Sequence, residues 1–269
     1  MALRAKLHIE TALQNERTVL TKSFCTAPFK IANITEDKKQ GRLQIMLMSS
    51  SPGILDDDEI NLQVHVGERC SLELQTQSYQ RLFQMNNGAR QFLNVNLEAG
   101  ASFVYIPHPV VPHRNSVFVS RSKIVLDQTS FLIWGEVMSC GRKLNGEIFE
   151  FSSYQSITEI FFSEKLWVKE NILMRPGETD LRSIGQLENF THQASLVFIN
   201  HCEDINSKIV QVISLLEEQE NIQFGVSKLP VNGMIVRLLG FRAEQLFGLL
   251  KNISSVLYVR KTKEESYVA

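Results

Sequence analysis

Residues Ser102–Glu147, SFVYIPHPVVPHRNSVFVSRSKIVLDQTSFLIWGEVMSCGRKLNGE, decide the fold class of this chain. A proline-hinged strand, Tyr105-Ile-Pro-His-Pro-Val-Val-Pro-His113, runs into two further strands that end at Trp134-Gly-Glu136 and Gly141-Arg142. The same patterning extends outward on both sides. Apolar residues alternate strictly in Ile60-x-Leu62-x-Val64-x-Val66, Leu72-x-Leu74, Leu93-x-Val95-x-Leu97 and Val117-x-Val119, the period-2 signature of half-buried strands. Asn86-Asn-Gly88 and Glu98-Ala-Gly100 supply residues that tolerate positive backbone dihedrals in tight turns.

A weak repeat adds an architectural expectation. Val66-Gly-Glu-Arg-Cys-Ser-Leu72, Leu97-Glu-Ala-Gly-Ala-Ser-Phe103 and Leu126-Asp-Gln-Thr-Ser-Phe131 each pass from an apolar residue through a polar turn to a serine and a large apolar residue. Coils of a stacked β architecture give such spacing, and so does recurring turn chemistry in an antiparallel sandwich. The expected fold is mostly β, with elongated, β-helix-like stacked sheets over residues 1–200. Residues 201–269 change character and form an α/β C-terminal part packed on the same domain. Ile209, Val212, Ile213 and Leu216 predict a helix over 206–218, and Leu246, Leu249 and Leu250 predict another over 241–253. Met234–Leu239 reads as a strand, Val256–Arg260 as another, and Lys261–Ala269 as a frayed tail.

Composition bounds the function. The 269 residues are 43% hydrophobic and 21% charged, with a net charge of -1, which is ordinary for a globular chain and gives no electrostatic footprint for nucleic acid. Charges interrupt the apolar residues of Met1–His8, so a secretory signal is not expected, and no run reaches the ~18 apolar residues of a membrane span. Cys25, Cys70, Cys140 and Cys202 are scattered, which argues against a disulfide framework or zinc ribbon and for a reducing cytoplasm.

Six histidines invite a metal reading, because imidazole ligates nickel and zinc, but none has a ligand-pair spacing on an evident helix. His108 and His113 flank prolines in one loop-like segment, and His201 adjoins Cys202. Asp56-Asp-Asp58-Glu59 could draw a divalent cation or form a solvated turn. Glu136 follows the apolar Phe131–Trp134, so its carboxylate requires a partner, a raised pKa or water; an ion pair with Arg142 is one local solution. Phe149, Phe151, Phe161, Phe162 and Trp167 lie where strands are apolar on both faces, to be covered by another layer or by a partner. Neither a Gly-x-Ser-x-Gly elbow nor a phosphate-binding loop is present, so the chain is not expected to be an enzyme.

Four ordered segments carry a family resemblance: Ser51-Pro-Gly-Ile-Leu-Asp-Asp-Asp58, Leu74-Gln-Thr-Gln-Ser78, the Tyr-x-Pro-x-Pro-x-x-Pro run at 105–112, and Leu132-Ile-Trp-Gly-Glu136 with Gly141-Arg142 and Gly146-Glu147-x-Phe149. Over roughly 24–200 the chain resembles urease accessory proteins of the UreD/UreH type, with His108 where an acidic or aromatic residue is usual and Asp57 where a glycine is common. The resemblance implies a cytoplasmic scaffold that assists nickel insertion and binds apo-urease, the accessory protein UreF and, through it, the GTPase UreG. It implies no tightly bound cofactor, only nickel in transit along an internal polar path, to which Asp58, Glu136 and Glu147 would contribute carboxylates and Thr76 and Ser78 hydroxyls. A different class remains open from the residues alone: a β-helical carbohydrate-active enzyme using Glu136 and Glu147 as acid and base, or an interaction module without a metal role.

Overall fold

Alternating apolar residues need two things to become a sheet protein: neighbours to complete each backbone ladder and a second layer to cover the apolar face. Both are visible in the structure, a computed structural model that describes residues 2–36, 41–200 and 204–258. In chain order the strands are β1 (Arg4–Gln14), β2 (Arg17–Cys25), β3 (Phe29–Asn33), β4 (Leu43–Ser49), β5 (Glu59–Val66), β6 (Ser71–Thr76), β7 (Gln80–Leu82), β8 (Ala89–Leu97), β9 (Ser102–Tyr105), β10 (Val110–Pro112), β11 (Val117–Leu126), β12 (Phe131–Ser139), β13 (Ser153–Phe162), β14 (Lys165–Met174) and β15 (His192–Asn200). Helix α1 (Ile205–Glu217), β16 (Ile222–Lys228), β17 (Gly233–Gly240) and helix α2 (Ala243–Leu257) follow. The chain is therefore mostly β with two helices near its C-terminal end, as the sequence predicts.

The strands make two mixed sheets. One runs β14-β13-β11-β8-β5-β1-β2; the other runs β16-β17-β15-β12-β9-β6-β4-β3, with β10 bridging β12 and β7. Parallel neighbours require a long crossover, and here each crossover is a visit to the opposite sheet. The chain passes from β5 to β6, from β8 to β9 and from β11 to β12, while β5, β8 and β11 pair in parallel, as do β6, β9 and β12.

The repeated turns lie on these passages in register. Val66 is opposite Leu97, and Leu97 is opposite Leu126; beyond the turn Ser71 is opposite Ser102, and Ser102 is opposite Phe131. Backbone bonds tie each turn to the next, from Glu98 N to the Val66 carbonyl at 3.0 Å and from Asp127 N to the Leu97 carbonyl at 3.2 Å.

Two cores result. Between the sheets lie Leu62, Leu93 and Phe118 from one side and Leu72, Phe103 and Leu132 from the other. On the far face of the second sheet Ile133, Leu196, Phe198 and Val236 pack against Leu246, Leu250 and Ile253 of α2 and Val212 of α1. β15 is buried at every position but Gln193, and its stretch Leu196–Ile199 is a continuous apolar run, as a strand covered on both faces requires. Asp204 caps α1 by accepting from Asn206 N at 3.0 Å and Ser207 N at 3.3 Å. No helix among the described residues is long and apolar enough to cross a membrane.

One strand shows more than its alternation does, and one local expectation is corrected. In β11 the inward face is Phe118, Ser120, Ser122, Ile124 and Leu126, while Val117 and Val119 are only half-buried on the other face. Two inward serines, Ser120 and Ser122, break the apolar alternation on the core side. Val256 and Leu257 are helical, because Leu257 continues the apolar stripe of Leu246, Leu250 and Ile253 onto the sheet. Val259, Arg260 and the expected tail at 261–269 lie outside the described residues.

This assignment of faces has a measurable consequence. Phe118→Ala should cost about 3–5 kcal/mol in denaturant unfolding, whereas Val119→Thr should change stability by about 0.5 kcal/mol or less. Equal costs at the two positions would overturn the facing of β11.

Candidate functional site

The acidic loop before β5 is held together by its own carboxylates. Asp56 accepts from the backbone N–H groups of Asn86, Asn87 and Gly88 at 3.0, 2.9 and 2.8 Å. These bonds, led by Asn86, hold its carboxyl below the ordinary range. Asp58 is buried and accepts from Leu3 N at 3.0 Å and Leu55 N at 2.8 Å. The solvated turn expected at 56–59 is thus a bonded loop at its third position, because the N–H groups of Leu3 and of Leu55 in the same loop need an acceptor.

Beside this loop is a cavity of ≈ 110 Å³ lined in part by Asp58, Thr76, Ser78, Gln80, Gln91 and Tyr105. Three of the expected path residues therefore converge on one place. Thr76 Oγ1 accepts from His108 N at 2.8 Å and lies 3.1 Å from His108 Nδ1. Burial, helped by Lys251, lowers the His108 pKa, and the ring lies 4.7 Å from that of Phe247 of α2, tilted by 33°. His108 is half-buried, whereas His113 is buried edge-on against Phe83, so the two histidines have separate surroundings.

Glu136 lies between the sheets. Ser156 Oγ donates to Oε2 at 2.7 Å, and Thr158 Oγ1 and Trp134 Nε1 donate to Oε1 at 2.9 and 3.1 Å. The expected pair with Arg142 does not form; Arg142 belongs to Glu147 in the turn beyond. The residue as a whole retains some accessible surface, yet burial of the carboxylate dominates and raises its pKa, opposed by its three donors and reinforced by the charge of Glu170. Its charge also helps to raise the phenol pKa values of Tyr105 and Tyr154, after burial itself.

Strand register extends this group into two facing polar rows. On the second sheet Glu136 is opposite Ser195, Ser195 is opposite Arg237, and Arg237 is opposite Gly225. On the first, Ser122 is opposite Thr158, and Thr158 is opposite Glu170. Cross-sheet bonds join the rows: Thr158 to Glu136, Ser195 Oγ to Glu170 Oε2 at 3.2 Å, and Arg237 to Glu170 Oε1 at 2.9 Å.

A parallel succession leads back to the cavity. Gln91, which lines it and accepts from Gln80 at 2.7 Å, is opposite Ser120, and Ser120 is opposite Ser156. At the far end Arg237 and Gly225 line an open depression of ≈ 350 Å³. Polar groups thus follow one another across the apolar inter-sheet core from one surface feature to another. Ser120, Ser122, Ser156, Thr158, Glu170, Ser195 and Arg237 were not singled out from sequence. The available signal was hydroxyls and a carboxylate at core-face positions of otherwise alternating strands.

Glu147 is not part of this succession. Its carboxylate pairs bidentately with Arg142, through Nε at 2.8 Å and the terminal nitrogen, and accepts from Arg114 N at 3.3 Å. The Arg142 bonds hold its carboxyl below the ordinary range. Gly141 makes this turn possible: its φ is +126, and a Cβ there would come within 2.9 Å of the Glu147 carbonyl. Glu136 and Glu147 are held by different groups, the first by Ser156, Thr158 and Trp134 and the second by Arg142 and the Arg114 backbone. His201 and Cys202 lie outside the described residues, and among those described no three His, Cys, Asp or Glu side chains cluster as a metal site. Phe151 and Phe162 are buried, and Phe149, Phe161 and Trp167 are half-buried.

A family model described as UreD urease accessory protein matches residues 3–268. The chain is 45% identical over 259 residues to a urease accessory protein UreD of Flavobacterium johnsoniae, covering 96% of this chain and 94% of that protein. It is 34% identical to proteins of the same description from Acetivibrio thermocellus, covering 94% of this chain and 97% of that protein, and from Actinobacillus pleuropneumoniae serotype 5b, covering 95% and 97%.

The buried carboxylate leaves a signature in pH dependence. A raised folded pKa means that protonated Glu136 stabilises the fold fully below the ordinary value of 4.5, and that this contribution is lost as pH rises through the folded value. Glu136→Gln cannot titrate. The melting temperature of the wild type minus that of the variant should therefore fall from acid toward neutral pH, and a flat or rising difference would contradict the assignment.

Proposed function

Because this chain belongs to the UreD urease accessory protein family, we propose that it is a non-enzymatic cytoplasmic scaffold of urease maturation, joining apo-urease to UreF and, through UreF, to the GTPase UreG, and assisting nickel delivery along the internal polar succession. The observation that carries the nickel part of this reading is the run of hydroxyls, amides and carboxylates from the Asp58–Thr76 cavity through Glu136 to Arg237, placed inside a core that is otherwise apolar.

The chemistry of that run suits transit. Ser156 and Thr158 donate to Glu136 in the resting state, but a hydroxyl rotates and can offer its lone pairs instead. A cation beside Glu136 would supply the charge compensation that the desolvated carboxylate lacks, and the proton favoured by burial would leave in exchange. Isolated carboxylates and hydroxyls bind a borderline cation such as nickel weakly, and successive weak sites allow it to move on. Asp58 serves differently: both oxygens are engaged by backbone N–H groups, so its role is to shape the cavity wall.

The test is co-expression of the chain with urease subunits and the accessory proteins. Glu136→Gln should leave the complex recoverable while lowering nickel per urease and urease activity by roughly 10-fold or more. Full nickel content in that variant would leave a docking scaffold without a metal path. Asp58→Asn should lower assembly and nickel together, because it loosens the loop that holds Leu3 and Leu55.

A further inference from the structure

Arg237 is the only cationic side chain in the two facing polar rows among the described residues, and it stands at their solvent end. Its side chain is 63% exposed, while that of its partner Glu170 is 8% exposed. The neighbour of Arg237 on the edge strand is Gly225, where a Cβ would meet nothing within 4 Å, so this corner of the depression stays open around the guanidinium. Glu170 also accepts from Ser195, and Ser195 adjoins Glu136 across the strand pair.

We infer that Arg237 is an electrostatic gate at the depression end of the polar path: a tethered cation that occupies the Glu170 carboxylate at rest and must exchange with any divalent cation that passes between Glu136 and the depression. This rests on the path reading given under Proposed function and adds to it the residue that controls one end.

The asymmetry of the pair supports exchange over simple opening. The guanidinium can swing into the depression and be solvated there. Glu170 cannot follow it, and a buried carboxylate left alone is costly, so the arm leaves readily only when another cation takes its place. While it stays, a fixed positive charge repels a second cation, as arginine barriers do in pores. A nearby charge shifts carboxylate affinity by roughly tenfold or more, which sets the size of the expected effect.

Trp134 gives a local readout, because its Nε1 lies 3.1 Å from Glu136 Oε1 and Ni²⁺ quenches a neighbouring indole. The full chain carrying Trp167→Phe has Trp134 as its single tryptophan. In this background Arg237→Gln and Arg237→Met, two neutral replacements of different polarity, should be quenched at roughly tenfold lower Ni²⁺ than the parent. Arg237→Lys should resemble the parent, and Glu136→Gln should abolish the quenching in every background. Circular dichroism identifies any variant that fails to fold, and either neutral variant alone decides the question.

Quenching that depends on Glu136 but is the same with and without the charge at 237 would overturn the gate and leave the path standing. The gate also fails if Arg237→Lys behaves like the neutral variants. No Glu136-dependent quenching in any background would remove the path and the gate together.

Discussion

Once the register of a period-2 strand is fixed against one neighbour, every side chain on it is committed to a face. In this protein the register is fixed at the turns that carry the chain between sheets, where Val66, Leu97 and Leu126 stand in line and backbone bonds tie one turn to the next. Everything inward follows from that alignment. Leu62, Leu93 and Ile124 fill the inter-sheet core because they stand at even offsets from those turn residues, and Ser120 and Ser122 face the same core for the same reason. The polar rows are therefore a property of alignment between strands far apart in sequence, and a slip of one residue would send them to the outer face.

Polar groups inside such a core detract from stability unless each finds a partner. Glu136 has three donors, yet burial still outweighs them and raises its pKa. Glu170 has Arg237 and Ser195. An apolar residue of similar volume at these places would avoid the desolvation cost altogether, which is the usual outcome when buried ion pairs are replaced. What the polar groups provide instead is a series of oxygen atoms whose protons can be rearranged. The Asp56, Asp58 and Glu147 carboxylates differ in kind: backbone N–H groups or Arg142 hold them at rest and tie them into their loops.

The period-2 runs, the repeated turns and the two amphipathic helices were legible because each is a local pattern a dozen residues long or less. The facing of β11 was not, because Val117 and Val119 are apolar on the half-buried side while the core side carries serines. From sequence Val256-Leu-Tyr-Val259 reads as strand because a short apolar run does not by itself distinguish strand from helix. Asp58, Thr76 and Ser78, suggested by family resemblance, do meet at one cavity. Glu136 was recognisable as a carboxylate in need of a partner, but the partner expected from proximity, Arg142, is taken by Glu147. Glu170, Ser195 and Arg237 were invisible because their row runs across the strands, and only lateral pairing places them side by side.

The contacts of α2 set an order in time. Glu244 accepts from the Tyr79 hydroxyl at 2.8 Å, and the Phe247 ring lies 4.7 Å from that of His108, so two residues of the cavity lining are steadied by α2. A polypeptide is made from its N-terminus, and its earlier sheets can pair while later segments are still being added. The turns that align β5, β8 and β11 are complete well before Glu244 exists. On the ribosome the aligned turns of the inter-sheet interior would therefore exist before the cavity lining at Tyr79 and His108 gains its contacts from α2.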